Sequence, residues 1–369
     1  MQKYFLVFII AFCFTSCKRN TVNPDLLLGD WEFVTPKTIY DKDSNISTDY
    51  YRSDFRFEKD SIFELNDGFF KRADNQYTQY MGQESKYYID YDSLYILNSN
   101  TNKYFAQKIS HLSKDTLALY DKDSNMIFYY KKKKIEKPTQ VHLSQIIVSL
   151  EPCFGACPVS SISIDSEGNI IYFGESNTQN KGLFQGKVNK KKFQEIVSDL
   201  NKIHFTELKN KYSAGDVTDL PGLSVSFIEN NKILKTIYDY GNTEPRNLKG
   251  ILNKIIYLYQ EADLQKIDYD YPIVNPAFPP NFLLNDSESF YLQTLLLKAT
   301  KTETEFIPKY TQKSSLILPE NFDYEKYNEM QRRTETNGRY FRMENKNHQF
   351  STFDIGFDFF ETNEIFSKK

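Results

Sequence analysis

The sequence predicts a multi-domain, β-rich protein: an antiparallel β-barrel, then an α+β two-layer domain, then a small α+β C-terminal extension. Short alternating apolar runs between turn residues fill the first third of the chain, as in antiparallel barrels and sandwiches. In the middle, strand patterns are interrupted by two amphipathic helical patterns. The 369 residues also exceed the size of one ordinary domain. We expect a signal peptide at 1–17, a tether at 18–24, the barrel at 25–135, the α+β domain at 141–263 and the extension at 269–369.

The N-terminal residues predict the compartment. Lys3 precedes the apolar run Phe5–Phe14, which is too short to cross a bilayer but suits the core of a signal peptide. Thr15, Ser16 and Cys17 follow. Small residues before a cysteine at this place resemble the lipobox of bacterial lipoproteins of the Bacteroidetes type, in which the cysteine is lipidated and becomes the first mature residue. The alternative is an ordinary signal peptide with an incidental cysteine.

The lipobox resemblance implies a membrane anchor at Cys17. Several acyl chains hold a protein firmly, whereas a single myristoyl chain binds reversibly. Lys18 and Arg19 are not acidic, and in such lipoproteins this argues against inner-membrane retention and against an acidic export signal. We therefore expect an outer-membrane lipoprotein on the periplasmic face.

The charge balance argues against a nucleic-acid partner. The chain carries 46 Lys and Arg against 49 Asp and Glu, so it lacks the basic excess that nucleic-acid-binding proteins show. A run of four lysines, Lys131–Lys134, ends the barrel segment. It suits either anionic lipid headgroups or a solvated strand end.

The barrel segment opens at Gly29–Val34, which contains the only tryptophan, Trp31. Gly29 and Trp31 form a G-x-W motif at the start of the first strand of an up-and-down series. This combination resembles the lipocalin-like domains of bacterial lipoproteins, in which the tryptophan closes the base of the barrel. Such a barrel either holds one small ligand or is filled by side chains. Further strands are expected within Asp54–Leu65, Lys86–Ile96, Tyr104–Ile109, Thr116–Tyr120 and Met126–Lys131.

The middle segment reads as strands, a helix, a hairpin and a second helix, which is an α+β order. Apolar residues at helical spacing predict helices over Asn189–Ile203 and Pro245–Glu261. The expected strands are Ile146–Leu150, Val159–Asp165, Ile170–Gly174, Leu183–Val188, Leu223–Ile228 and Ile233–Tyr238. In the extension, the sequence predicts a helix over Ser287–Thr300 and a terminal hairpin of Arg339–Met343 and Phe350–Phe360, with its turn at Thr336–Gly338.

Two cysteines carry the best chemical signal. Cys153-Phe154-Gly155-Ala156-Cys157-Pro158 lies between two predicted strands. The stretch resembles an uncharacterised family of bacterial domains of unknown function with a C-F-G-x-C-P signature, which implies no activity and no catalytic residue.

Three interpretations of the cysteine pair stay open. Cys13 would leave with the signal peptide, and Cys17 would carry lipid, so Cys153 and Cys157 remain as a pair that is oxidised more often than free outside the cytoplasm. A disulfide would staple a tight loop. A thiol-redox site would need a helix N-terminus, but the flanks read as strands. Copper(I) binding would need a further ligand, for which His142 and His204 are the candidates.

No other constellation indicates catalysis. Asp216 and Asp219 do not have the spacing of an EF-hand, so they suggest a solvated turn rather than a calcium site. The metalloprotease, nucleophile-elbow and P-loop motifs do not occur. Glu151 has no partner carboxylate of the kind a glycosidase uses. The sequence therefore predicts no catalytic residue, metal or cofactor.

The function expected from the sequence is a non-enzymatic binding or structural role in the cell envelope. A stapled loop, and a small pocket in the barrel, are the parts that would bind a protein, a glycan or a small hydrophobic ligand. The alternative is a copper-binding or thiol-redox protein that uses Cys153 and Cys157. A third option is an inhibitor module whose loop blocks an enzyme, since loops on rigid scaffolds often carry function.

Overall fold

The computed structural model describes residues 22–34, 53–72, 78–134, 136–278, 282–318 and 324–365. The predicted signal peptide and Cys17 lie outside these residues. The chain forms two compact units. The first comprises the described residues up to Glu64 together with Glu84–Lys133, and the second comprises Leu65–Gln83 and the described residues from Lys134 onward.

The first unit is a closed antiparallel barrel of eight strands, as the sequence predicts. Each strand pairs with its neighbours along the chain, and the last strand pairs with the first, so that Trp31 lies opposite Lys132. Residues 22–134 contain the strands β1 (Gly29–Val34), β2 (Phe55–Phe57), β3 (Ile62–Leu65), β4 (Phe70–Arg72), β5 (Thr78–Tyr80), β6 (Glu84–Asp90), β7 (Ser93–Asn98), β8 (Lys103–Leu112), β9 (Thr116–Asp121) and β10 (Met126–Lys132). The barrel consists of β1–β3 and β6–β10.

Aromatic rings from several strands pack inside the barrel. Phe55 and Phe57 are both buried on β2, because alternate residues of a strand point to the same face. The Phe55 ring centroid lies 4.5 Å from that of Tyr130 and 5.6 Å from that of Phe63. Phe57 lies 4.8 Å from Tyr87. Side chains therefore occupy this part of the interior, which is one of the two outcomes that the sequence left open.

Trp31 is fully buried on β1. Its indole nitrogen donates to the Leu27 carbonyl at 2.7 Å. The Lys132 ammonium lies 4.7 Å from the Trp31 ring centroid and donates to the Leu26 and Leu28 carbonyls at 2.7 and 2.9 Å. Lys132 thus ties the segment before β1 to the last strand of the barrel.

Lys133 continues the same lysine run and pairs with Asp54 at 2.9 Å. Two of the four lysines are therefore used within the barrel itself, whereas Lys131 and Lys134 are exposed. Among the described helices, none has the length and apolar character that crossing a membrane requires.

The second unit is built on an eight-stranded sheet in the order β15-β17-β16-β11-β12-β13-β14-β18. Its pairs are antiparallel except that β15 runs parallel to β17. The strands are β11 (Gln145–Leu150), β12 (Val159–Asp165), β13 (Asn169–Ser176), β14 (Gly182–Lys187), β15 (Lys211–Ser213), β16 (Gly222–Glu229), β17 (Lys232–Tyr240) and β18 (Gln265–Lys266).

Two helices cover one face of this sheet. They are α1 (Lys190–Lys202) and α2 (Arg246–Ile256). Their apolar stripes, which the sequence predicts, pack on the isoleucine, valine and phenylalanine side chains of the central strands in one buried cluster. The structure ends α2 at Ile256 and continues with a 3-10 turn at Leu258–Gln260, so the predicted helix is several residues too long.

The C-terminal segment covers the opposite face. Helix α3 (Asp286–Lys298) is buried on almost every side and shares one hydrophobic cluster with the central sheet and with the C-terminal sheet. Polar contacts also join α3 to the central sheet: Ser287 bonds Ser226 at 2.8 Å, and Gln145 donates to Thr294 at 3.2 Å. The small polar residues that alternate along the strands therefore lie beneath a helix.

A five-stranded antiparallel sheet lies beyond α3, in the order β21-β25-β24-β23-β22. The predicted terminal hairpin is part of this larger sheet. The expectation of a strand up to Phe360 is wrong at its end: the strand stops at Asp354, and Phe359 and Phe360 are buried in a short helix. The remaining elements are β19 (Ala277–Phe278), β20 (Phe282–Leu283), β21 (Thr300–Thr302), β22 (Tyr310–Ser315), β23 (Gln331–Thr336), β24 (Tyr340–Glu344), β25 (Phe350–Asp354) and α4 (Phe359–Thr362).

The hairpin β4–β5 belongs to the second unit, although it lies within residues 25–135, which the sequence analysis assigned to the barrel. The Asn66 side chain donates to the Arg246 carbonyl at 2.6 Å. The Tyr80 amide donates to the Gln260 side chain at 3.0 Å, and the Tyr80 ring stacks on Tyr257 with centroids 5.4 Å apart. These contacts dock the hairpin on α2 and on the turn that follows it.

Gly250 of α2 allows the backbone at Asn66 to approach the helix closely. A Cβ at this position would lie 2.3 Å from the Asn66 carbonyl oxygen. Alanine normally stabilises a helix by up to about 1 kcal/mol relative to glycine. We expect Gly250→Ala to do the opposite and to destabilise the second unit by about 1–3 kcal/mol, because backbone must move. Denaturant unfolding and protection of the Tyr80 amide from hydrogen exchange would measure this.

The matched control is Gln194→Ala, at an exposed position of α1. It should leave both the free energy of unfolding and the Tyr80 protection close to the wild-type values. If Gly250→Ala instead stabilises the protein, as replacing glycine by alanine in a helix usually does, the Asn66 carbonyl does not pack closely against this position.

Candidate functional site

A disulfide between Cys153 and Cys157 staples the loop between β11 and β12. The two Cα atoms are 5.7 Å apart. Because Leu150 pairs with Ser160, the loop leaves and re-enters the sheet at adjacent strands. The loop shows Phe154 at its tip, with 87% of its surface exposed. Gly155 adopts a φ of +134°, which only glycine takes without strain.

Three backbone contacts position the stapled loop. The Glu151 amide donates to the Gly222 carbonyl at 2.9 Å, and the Phe154 amide donates to the Asp219 carbonyl at 3.1 Å. On the other side, the Asn177 side chain donates to the Cys157 carbonyl at 3.0 Å. The exposed phenylalanine is therefore presented by a loop that is bonded at both sides as well as closed on itself.

The chemistry of the cysteine pair follows from this geometry. In the disulfide, each sulfur is bonded to the other, so neither is a thiolate nucleophile or ligand. His204, one of the candidate copper ligands, lies 3.5 Å from the Glu136 carboxylate and 3.9 Å from Glu207. Within the described parts of the chain, no three His, Cys, Asp or Glu side chains are grouped so that they would hold a metal ion.

A cleft of about 1170 Å³ begins at Glu151, the residue that opens the stapled loop. One wall is formed by β17 and by the segment that precedes and begins β15. The other wall comes from β19, β20 and the start of α3. The lining residues include Glu151, Asn210, Leu234, Lys235, Thr236, Tyr238, Ala277, Leu283, Asp286 and Glu288.

Glu151, Tyr238 and Asp286 form the acidic end of this cleft. The Tyr238 hydroxyl donates to Glu151 at 3.2 Å. Burial and the proximity of Asp286 raise the pKa of Glu151, and the hydrogen bond from Tyr238 partly opposes this. Burial also raises the pKa of Asp286, and burial together with Glu151 raises the pKa of Tyr238 to about 12. A cation placed between the two carboxylates would relieve their repulsion.

The cleft also contains Lys235, which is held in place. Its ammonium donates to the Asn210 side chain at 2.7 Å and to the Thr206 carbonyl at 3.2 Å. Burial lowers the pKa of Lys235. The cleft is thus lined by both acidic and basic side chains, and exposed Leu234 and Leu283 lie in its walls.

The structure separates the residues that the sequence singled out. Gly29 and Trp31 lie in the barrel, and Cys153 and Cys157 lie in the second unit. Asp219 does lie beside the stapled loop, but it contributes its backbone carbonyl to Phe154, and its carboxylate accepts from Thr218.

Sequence reasoning missed the cleft. Its walls come from residues far apart in the sequence, and the sequence analysis singled out neither Asp286 nor Leu283. A weak signal was present in Asn285 and Glu288, which form a capping box that fixes the start of α3.

The fold and these features define a β-rich protein with a closed antiparallel barrel and an α+β unit that presents a stapled, exposed aromatic loop. Residues 144–259 match the model of a family described as a domain of unknown function, DUF6438. The match starts just before β11, includes the stapled loop and ends just after α2. No curated protein matches the chain, and no solved structure matches it.

Removing the disulfide should have a modest effect on stability. For the double substitution Cys153→Ser with Cys157→Ser, loop-closure entropy for so short a loop gives about 2 kcal/mol or less. We expect the second unit to stay folded while the amide of Phe154 loses protection from hydrogen exchange. Denaturant unfolding together with exchange measurements would test this. A loss of the whole fold would show that the staple has a larger structural role.

Proposed function

We propose that this chain is a lipid-anchored protein of the bacterial cell envelope and that it binds a partner through the stapled loop. The observation that carries the proposal is the exposure of Phe154 on a loop that is closed by a disulfide and bonded on both sides. Aromatic side chains, phenylalanine among them, are enriched at protein–protein interfaces. Rigid presentation lowers the entropy lost on binding.

The lipobox motif supports the anchor. Lipidation of Cys17 would hold the protein at the membrane, and the non-acidic Lys18 and Arg19 favour the periplasmic face of the outer membrane. The G-x-W motif of Gly29 and Trp31 supports a lipocalin-like origin of the barrel. Since aromatic rings pack inside the barrel, we assign partner binding to the stapled loop rather than to a pocket for a small hydrophobic ligand.

We also propose that the protein acts by binding and not by catalysis. In their oxidised form, Cys153 and Cys157 shape the loop and do not react. The partner would be a protein or a glycan of the envelope. The stapled loop would contact it through Phe154, because this ring is the apolar group that the loop exposes most.

A photo-crosslinking amino acid at Phe154, in the full-length protein expressed in its native envelope, tests the loop. We expect one dominant crosslinked product. The matched control is the same amino acid at Ile307, which is also 87% exposed and lies far from the loop in the sequence. Equal crosslinking from both sites, or none from either, would overturn the assignment of partner binding to the loop.

Cys17→Ala tests the anchor separately. We expect the substitution to abolish incorporation of labelled fatty acid and to move the protein from the membrane fraction to the aqueous fraction. Fatty-acid labelling that persists in Cys17→Ala would show that the lipobox interpretation is wrong.

A further inference from the structure

The cleft beside the stapled loop contains an open strand edge. Strand β15 pairs only with Tyr238–Tyr240 of β17. The Tyr238 amide donates away from β16, to the Asn210 carbonyl, at 2.9 Å. Because backbone groups alternate along a strand, the amide and carbonyl of Thr236 point to the same edge. In the described part of the chain, no strand pairs with β17 at Thr236 on this side.

Apolar side chains lie beside this edge. Leu234 on β17 is 42% exposed, and Leu283 on the facing wall is 74% exposed. Both line the cleft together with Ala277. An open edge with flanking apolar side chains is the arrangement to which extended peptides add as an extra strand, with backbone hydrogen bonds for affinity and side-chain contacts for specificity.

The charge of the cleft selects among such peptides. Glu151 and Asp286 lie at the end next to the stapled loop, and both line the cleft. Glu288 also lines the cleft, which gives three carboxylates against the two ammonium groups of Lys211 and Lys235. The ammonium of Lys235 is already bound by Asn210 and Thr206. A basic side chain would therefore be favoured beside the two carboxylates, and an acidic side chain would be repelled there.

We propose that this cleft binds an extended peptide segment of a partner protein, which adds to the edge of β17 at Thr236. An apolar side chain of the peptide packs between Leu234 and Leu283, and a lysine or arginine side chain lies between Glu151 and Asp286. This site is separate from the exposed tip of the stapled loop and does not depend on the lipid anchor.

The probe is a phage-displayed library of random linear peptides, selected on the immobilised full-length protein. We expect enriched sequences that carry a basic residue and an apolar residue on the same face of an extended strand, which means an even spacing between them. Synthetic versions of these peptides should bind in solution. Versions methylated at alternate backbone nitrogens should lose binding, because strand addition uses those amides.

Three variants test whether the peptide binds in the cleft. Leu283→Ser should weaken peptide binding about tenfold, as expected for the loss of one well-packed apolar contact. Glu151→Gln should weaken it by a similar factor and reduce its sensitivity to salt. The matched control Ile307→Ser removes an exposed apolar side chain outside the cleft and should not change the affinity.

Several results would overturn the proposal. These are an absence of enrichment, enrichment of acidic peptides, or peptides that bind Leu283→Ser as tightly as the wild type. A glycan array screened in parallel covers the other class of ligand. Glycan binding that Leu283→Ser abolishes, without peptide binding, would assign the cleft to carbohydrate and overturn the proposal.

The stapled loop can be tested independently of the cleft. Phe154→Ser should leave peptide affinity unchanged, since Phe154 does not line the cleft. Failure of the peptide selection would therefore leave the Phe154 crosslinking result standing, and failure of the crosslinking would leave the cleft result standing.

Discussion

Trp31→Ala should destabilise the barrel by about 4 kcal/mol, the largest loss we expect from a single core substitution. The substitution leaves a cavity where the fully buried indole stood. It also removes the hydrogen bond to the Leu27 carbonyl and the ring over which the Lys132 ammonium lies. Urea unfolding followed by circular dichroism would measure the change in the free energy of unfolding.

Two controls separate these contributions. Trp31→Phe keeps a ring at this position and should recover part of the stability. Tyr129→Ala removes a half-exposed ring on β10 and should cost well under the Trp31→Ala value. A loss below about 1 kcal/mol for Trp31→Ala would contradict the view that this residue closes the barrel. Since Trp31 is the only tryptophan, its fluorescence reports the wild-type barrel directly.

Glu244→Gln should stabilise the protein at neutral and alkaline pH but not at acid pH. Glu244 precedes α2 and contacts Asp239, which is 3% exposed and accepts from the Thr243 amide and hydroxyl at 2.9 and 2.8 Å. Burial and the Asp239 charge raise the pKa of Glu244 to about 7, although Lys249 opposes this. Between pH 4.5 and about 7, the folded protein therefore keeps the Glu244 proton that the unfolded chain releases.

The sign of the pH dependence follows from that proton. Below the unfolded pKa of 4.5, Glu244 is protonated in both states and does not change the free energy of unfolding. As the pH rises towards about 7, only the unfolded state ionises, so the stability of the folded state falls. The total loss is on the order of 3 kcal/mol. Glutamine is neutral throughout, so Glu244→Gln removes this dependence.

The measurement is the difference in unfolding free energy between wild type and Glu244→Gln across this pH range. Taking the difference cancels the titration of the carboxylates that do not interact with Glu244. The control Glu195→Gln makes the same change at an exposed position of α1 and should give a flat difference. A flat difference for Glu244→Gln as well would mean that the folded protein does not raise the pKa of Glu244.

Much of the secondary structure was predictable because its signals are local. The barrel strands, α1 and the start of α2 follow from alternation, helical spacing and turn residues between them. The hairpin β4–β5 was not predicted, since its strands are three residues long and carry no clear alternation. Strands β22 and β23 were missed for a related reason: their buried residues are polar or charged, namely glutamine, serine, arginine, threonine and glutamate.

The candidate site, too, was only partly predictable from the sequence. The sequence identified Cys153, Phe154 and Cys157, because the spacing of the cysteines and the flanking strand patterns lie within one short stretch. It gave no indication that Phe154 would be exposed or that Asp219 would hold the loop. The cleft was invisible, because Glu151, Thr236 and Asp286 are distant in the sequence and meet only when α3 packs on the sheet.

By itself the sequence determined the β-rich class, the order of barrel and α+β elements, and the cysteine-containing loop between two strands. These depend on residue patterns within about ten positions, which bias the backbone before any long-range contact forms. Only the tertiary structure decided that the serine-bearing face of the central sheet lies beneath α3 and that β4–β5 docks on α2. Contacts such as Ser226 with Ser287 and Asn66 with Arg246 join distant residues, and their free energy exists only in the folded chain.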